Sequence, residues 1–318
     1  MHDLPVFIDI LTYGEILNMI PVSEGLSETK KYKIVTAEGN NFFLKMYSID
    51  VYNRLKGEFK LLKMFANRGI PIAQPIDFGI CREGAFVLFE WVDGQSLGYS
   101  LLHSSPEKGY ELGFQVGSIL HRIHSVTLPS LGNSLPHTWL SLFESVLHTF
   151  YFSENKELFP PIIESCLTYV VEHFELLHST STKILHGDYC ANNIIVHTSG
   201  LVVIDFALII SNSNNLYYDI ASSLVIEDKY KNYSSGIIYG YFMCDPSLET
   251  WRKIKLCCAA LILLSFSAKS ENFNACLTRD FFNGAIKSVI YLEWFQNSCD
   301  IPTWYISRKH STQTQQIY

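Results

Sequence analysis

The run His186-Gly187-Asp188-Tyr189-Cys190-Ala191-Asn192-Asn193 places a carboxylate five residues before a carboxamide, and Asp205 follows that carboxamide by twelve residues, ending the apolar run Val202-Val203-Ile204. Residues of these types suit phosphoryl transfer to a hydroxyl. Such a reaction needs a carboxylate to orient the attacking hydroxyl and take its proton, and hard oxygen ligands to hold a divalent cation on the phosphates. Asp188 fits the first task. Asn193 and Asp205 fit the second, because Mg²⁺ takes oxygen ligands and keeps several waters. Asn192 competes with Asn193, since a slip of one residue exchanges them, and the spacing from Asp188 favours Asn193. Singly, each residue also reads as turn chemistry: a cap for Asp188, an Asx-turn for Asn193, a strand-end carboxylate for Asp205. Their combination at these spacings tips the balance toward chemistry. His186 reads as a structural hydrogen-bonder rather than a base.

Other residues would complete such a site. Lys45 closes the strand-like run Phe42-Phe43-Leu44-Lys45, where an ammonium would neutralise nucleotide phosphates. Glu58 lies thirteen residues on, the only acidic residue of the following helical segment beyond Asp50, and is the expected carboxylate partner of Lys45. The loop Ser23–Thr29, with Ser27 as the candidate contact, would cover phosphates through backbone N–H groups, although its single glycine makes a plain loop an equal reading. Glu90 C=O and Val92 N–H would meet a purine edge, with Phe89 at the back of the pocket. Asp219, in Tyr217-Tyr218-Asp219-Ile220-Ala221, either caps a helix or braces the loop from beneath, and bracing is favoured. It is carried together with Glu227 and Asp228 as a candidate acceptor contact, against the reading of a solvated helix surface.

The elements that must position these residues follow from periodicity. Residues 31–47 read as a hairpin with turn residues at Glu38-Gly39-Asn40-Asn41. Ser48 and Asp50 offer N-caps to a helix ending near Asn67, with Val51, Leu55, Phe59, Leu62 and Phe65 at helical spacing. Gly69, Pro71 and Pro75 keep the chain extended afterwards, Ala85–Phe89 reads as a buried strand, and Glu90–Gly94 as a hinge. A long helix from Pro106 to about Val126 carries the stripe Leu112, Val116, Ile119, Leu120 and Ile123. Further helices are expected over 139–152, 161–179 and much of 217–298, around the short strands of 184–206. The expected class is α+β in two lobes: a strand-rich nucleotide lobe over 1–92, a mainly helical lobe over 93–306, and a polar tail over 307–318. A ligand is expected in the cleft between such lobes.

The chain has 318 residues, 48% hydrophobic and 17% charged, with net charge -7, so it can build a sizeable core and lacks the basic excess of a nucleic-acid binder. Its eight cysteines form no CxxC pair. Reduced thiols and a cytoplasmic setting are expected. No basic-then-apolar leader opens the chain, and the longest apolar run, Leu256–Phe266, is too short to span a bilayer. No membrane or nucleic-acid partner is expected, and the oligomeric state is unspecified.

Taken together, these residues resemble the aminoglycoside phosphotransferase family, small-molecule kinases with a protein-kinase-like fold. The resemblance rests on His186-Gly187-Asp188 with Asn193, Ile204-Asp205-Phe206, Tyr218-Asp219-Ile220-Ala221, Lys45 with Glu58, and the Leu120-His121-Arg122-Ile123-His124 step. It covers residues 20–305. It implies Asp188 as catalytic base, Asn193 and Asp205 as Mg²⁺ ligands, Lys45 on the phosphates of ATP or GTP, and Glu58 supporting Lys45. Gly187 and Ala207 stand where protein kinases typically carry Arg and Gly, and the Ala-Pro-Glu segment is missing, so the resemblance favours a small-molecule acceptor. An aminoglycoside or related antibiotic is the first expectation, a choline- or homoserine-like metabolite the second. A non-catalytic nucleotide-binding scaffold is the third, disfavoured by the intact set of Lys45, Asp188, Asn193 and Asp205.

Overall fold

The computed structural model describes residues 13–23, 29–126, 144, 147–148, 150–152, 161–177, 183–207, 209–211, 216–224, 230–270, 294–297 and 299–307. The chain divides into two compact units, Met1–Gln95 with Ile195–Ile204, and Ser96–Ile194 with Asp205–Tyr318.

The first unit holds strands β1 (Ile16–Pro21), β2 (Lys30–Thr36), β3 (Asn41–Tyr47), β4 (Pro75–Cys81) and β5 (Gly84–Glu90), antiparallel in the order β1-β2-β3-β5-β4. The expected hairpin is β2–β3, closed by Thr36 N–H to Asn40 O at 3.0 Å, with Gly39 at φ 83°, a left-handed position that glycine adopts without strain. Helix α1 (Tyr52–Asn67) buries Leu55, Phe59, Leu62 and Phe65 at the expected spacing, whereas Val51 is only half-buried. Its start differs from expectation. A 3₁₀ turn, Ile49–Val51, precedes the helix, and Ser48 makes no side-chain cap bond.

Alternation along β5 explains the two sides of this sheet. Phe86 and Leu88 join Ile34, Leu44 and Met46 on one face, while Ala85 and Val87 meet Leu55 and Phe59 of α1 on the other. A strand covered on both faces reads as an unbroken apolar run. The hairpin of β8 (Ile194–His197) and β9 (Gly200–Val203) pairs with β6 (Gln95–Ser96). It also bonds back to the first unit: Val203 N–H donates to Pro71 O at 2.8 Å and Ala73 N–H to Val203 O at 3.0 Å. The division falls at 95/96, and residues 195–204 belong with the first unit because these backbone bonds tie them there.

The second unit contains α2 (Leu97–Leu102), α3 (Pro106–His124), α4 (Pro161–His173), β7 (Lys183–Leu185) paired with β10 (Ile209–Ser211), α5 (Leu216–Ser223), α6 (Lys231–Phe242) and α7 (Leu248–Ser270). Ser105 caps α3 by accepting from Lys108 N–H, and Pro106 occupies a first-turn position where its missing donor costs nothing. The expected helix over 161–179 stops at His173 and continues as a 3₁₀ turn, Phe174–Leu177. Of the expected helix over 139–152, residues 144, 147–148 and 150–151 are helical, and the remainder lies outside the described residues apart from Phe152. The run from Leu256 to Leu263 is a largely buried part of α7, and no helix among the described residues is long and apolar enough to cross a membrane. Trp294 packs beside Trp251 and Trp304 and donates from Nε1 to Asp300 O at 3.0 Å.

The packing of α3 on α6 has a feature that hydrophobic periodicity did not display. Gly113 and Gly117 face the backbone of α6, and Gly236 and Gly240 face the backbone of α3. A Cβ on Gly113 would meet Tyr233 O at 2.0 Å, and one on Gly240 would meet Phe114 O at 2.1 Å. Neither backbone atom can move aside cheaply. Gly109, one turn earlier, would meet nothing closer than 3.9 Å. Gly113→Ala is therefore expected to destabilise by about 1–3 kcal/mol through overpacking. Gly109→Ala is expected to be neutral or stabilising by up to about 1 kcal/mol through helix propensity. Urea unfolding of the two variants checks this contrast.

Candidate active site

Asp188 leaves β7 through a tight turn. Gly187 sits at φ 88°, which a side chain would strain, and Asp188 N–H donates to His186 Nδ1 at 3.1 Å. Asn193 stands on a short 3₁₀ turn, Ala191–Asn193, and its Nδ2 donates to Asp188 O at 2.9 Å and Asp188 Oδ2 at 2.6 Å. The two asparagines differ in position. Asn192 is exposed and places its Oδ1 where a Cβ on Gly98 would lie 2.4 Å away, so Asn193 is the one that meets Asp188.

Asp205 follows β9 at φ 60°, a left-handed conformation uncommon for a residue with a side chain. The turn is held behind it. Phe206 packs on His186 with ring centroids 4.3 Å apart, and Ala207 N–H donates to His186 O at 2.9 Å. Burial raises Asp188 from the ordinary 3.8 to about 6, with the Asn193 hydrogen bond opposing the shift and the charges of Asp205 and Asp219 adding to it. A divalent cation suits this set of residues. Carboxylates repel one another there, Asn193 with Nδ2 engaged keeps Oδ1 for a hard cation, and no thiolate or imidazole ligand is required. Among the described residues no group of three or more His, Cys, Asp or Glu could hold a metal by itself. Mg²⁺ with few protein ligands, waters and substrate phosphates does not need one.

Asp219 lies beneath the loop, fully buried on the first turn of α5. It accepts from His186 N–H at 2.6 Å, Gly187 N–H at 3.0 Å and His124 Nε2 at 3.0 Å. This is the bracing geometry. Its carboxylate has no exposed surface, and both of its oxygens are engaged. Cys190 sits beside Asp188, and burial pushes its thiol up to about 12, so it remains protonated and poorly nucleophilic at neutral pH.

In the first unit, Lys45 is buried on the face of β3 that α1 covers, since its partner Val87 packs against Leu55 and Phe59. Burial raises the Glu58 carboxyl, while Arg54 and Lys45 pull it down. Two nearby residues escaped the sequence reading. Arg54 Nε lies 3.7 Å from Glu58 Oε1, a pair visible as an i,i+4 spacing, and Lys31 is buried directly across from Lys45 in the β2–β3 register. Glu90 ends β5 exposed, with its N–H given to Gln74 O at 2.9 Å, and Val92 follows half-buried. Ser27, Glu227 and Asp228 lie outside the described residues.

A model of the phosphotransferase enzyme family, the aminoglycoside phosphotransferase group, matches residues 18–253. The chain belongs to that family. It is accordingly a small-molecule kinase of the protein-kinase-like α+β fold. Solved structures agree on the fold. Amicoumacin kinase, in complex with AMP-PNP and Ca²⁺, superposes with a TM-score of 0.61 at 14% identity over 96% of each chain. Wild-type aminoglycoside 2'-phosphotransferase-IIIa, as a GDP complex, gives 0.61 at 17% identity over 86% of this chain and 96% of that one. A putative fructosamine-3-kinase from Haemophilus somnus gives 0.53 at 16% identity over 84% and 90%. No curated protein matches the chain.

The raised Asp188 carboxyl has a sign-definite consequence in the metal-free kinase. Between pH 4 and pH 6 the folded state holds the proton more tightly than the unfolded state, so this group's contribution to stability falls as pH rises through that window. Above it, the ionised buried carboxylate is a net cost. Asp188→Asn is expected to raise Tm at pH 7.5 in EDTA by about 2–4 °C, with the gain shrinking toward pH 4. Thermal melts across pH check it.

Proposed function

We propose that this kinase transfers the γ-phosphoryl group of ATP or GTP to a hydroxyl of a small molecule, with an aminoglycoside or related antibiotic as the leading acceptor class. The observation that carries the reading is Asp188 itself: a half-buried carboxylate raised to about 6, paired with Asn193 and set on a backbone that Asp219 holds from beneath. A base whose pKa approaches the working pH combines ionisation with useful proton affinity.

In this reading the acceptor oxygen attacks the γ-phosphorus, the bond to the β–γ bridging oxygen breaks, and the hydroxyl proton passes to Asp188. Nucleoside diphosphate leaves with the bridging oxygen. Mg²⁺, when bound by Asn193 and Asp205, supplies charge neutralisation on the phosphates. Lys45, supported by Glu58, contributes a fixed cation toward the α- and β-phosphates, and Lys31 stands across the strand from it. Ser27 is assigned to the phosphate loop, and Glu90 C=O and Val92 N–H to the purine edge. Glu227 and Asp228 are assigned to a cationic acceptor on charge alone. The acceptor classes named for the similar structures differ, and the shared fold does not choose among them. A choline- or homoserine-like metabolite is the second reading.

Nucleotide consumption screened against an acceptor panel tests the class. Stimulation by an aminoglycoside or another antibiotic supports the first reading, and stimulation by a metabolite alone overturns it. Asp188→Ala is expected to abolish turnover, by about 10²-fold or more, while leaving nucleotide binding intact; full activity in that variant removes the central claim. Asp205→Ala is expected instead to lose the Mg²⁺-dependent part of nucleotide affinity, read by titration calorimetry with and without Mg²⁺.

A further inference from the structure

The chain of contacts beneath the catalytic loop continues past Asp219. His124, the last residue of α3, places Nε2 3.0 Å from Asp219 Oδ2 and Nδ1 2.9 Å from the Tyr241 hydroxyl on α6. Both residues are buried. A carboxylate can only accept, so Nε2 carries a proton. In a neutral imidazole Nδ1 is then a lone pair, and a buried lone pair needs a donor. Burial, with Tyr217 and Asp219 acting in the same direction, holds the Tyr241 phenol well above its usual range, so it keeps its O–H. The glycine contact between the helices makes this meeting possible, since a Cβ on Gly117 would lie 2.8 Å from Tyr241 N.

We propose that Tyr241 is a positioning residue for phosphoryl transfer: its O–H holds His124 in the tautomer that donates from Nε2 to Asp219, and Asp219 holds the backbone from which Asp188 projects. The link to turnover rests on the function proposed above, while the tautomer and the loop contacts stand independently of it. With phenylalanine at 241, Nδ1 is buried without a donor. The ring is then free to turn or to exchange tautomers. Asp219 loses one of its three donors, and the His186 and Gly187 amides are held less firmly. The His124→Gln variant removes this dependence, because a carboxamide N–H₂ donates to Asp219 with no tautomer to fix.

Long-range ¹H–¹⁵N spectra of the full chain labelled in its histidines test this directly, with the His124 signals identified by their loss in His124→Gln. The neutral, Nε2-protonated form is expected in the wild type. An imidazolium or an Nδ1-protonated ring overturns the proposal, and this measurement decides even if Tyr241→Phe fails to fold. In Tyr241→Phe, amide hydrogen exchange at His186 and Gly187 is expected to quicken roughly 3- to 10-fold. In a His124→Gln background the same change is expected to add nothing. Exchange unchanged in Tyr241→Phe, or quickened equally in both backgrounds, overturns it. kcat is expected to fall by a similar factor with the nucleotide KM unchanged. Absence of any stimulating acceptor for the wild type would instead count against the proposed function and leave the spectroscopic result standing.

Discussion

A single carboxylate with no exposed surface underlies the loop that carries Asp188. An anion removed from water is costly unless donors replace the solvent. Asp219 has two backbone N–H groups of the His186–Asn193 loop and one imidazole nitrogen, so its own need for donors dictates where His186 and Gly187 must lie. From that placement the rest follows. His186 accepts from Asp188 N–H on its ring and from Ala207 N–H on its carbonyl, and Asn193 closes onto Asp188. Each of these backbone groups is thereby engaged.

Close approach of α3 and α6 supports that arrangement from the other side. With glycine at 113, 117, 236 and 240 the two helices meet backbone to backbone. This brings His124 and Tyr241 within hydrogen-bonding distance, and Tyr189, next to Asp188, donates to Val116 O at 2.8 Å. Side chains between the helices would push these partners apart. The glycines are thus a packing requirement with a chemical consequence, although none of them touches Asp188.

The first unit solves a different problem, that of keeping ammonium groups among apolar side chains. Lys31 and Lys45 are buried opposite each other, on the sheet face covered by α1. Glu58 offers a carboxylate whose proton affinity is raised by the same burial and lowered by Lys45 and Arg54.

Much of this was legible in the chain itself. The turns of the Asp188 loop, the Asp188–Asn193 spacing, the β2–β3 hairpin, the apolar faces of α1 and α3 and the buried run in α7 depend on residues close in sequence, and periodicity and turn chemistry read them directly. The contact of Asn193 with Asp188, the Arg54 contact to Glu58, the start of α1 and the attachment of residues 195–204 to the first unit were decided by the folded structure. Burial above all raised Asp188 and silenced Cys190. The Tyr241–His124–Asp219 chain joins residues more than ninety positions apart, and no local pattern encodes it. Its physical basis is a distance between two helix backbones. That distance is set by where glycines from separate segments happen to meet, and it exists only once the chain has packed.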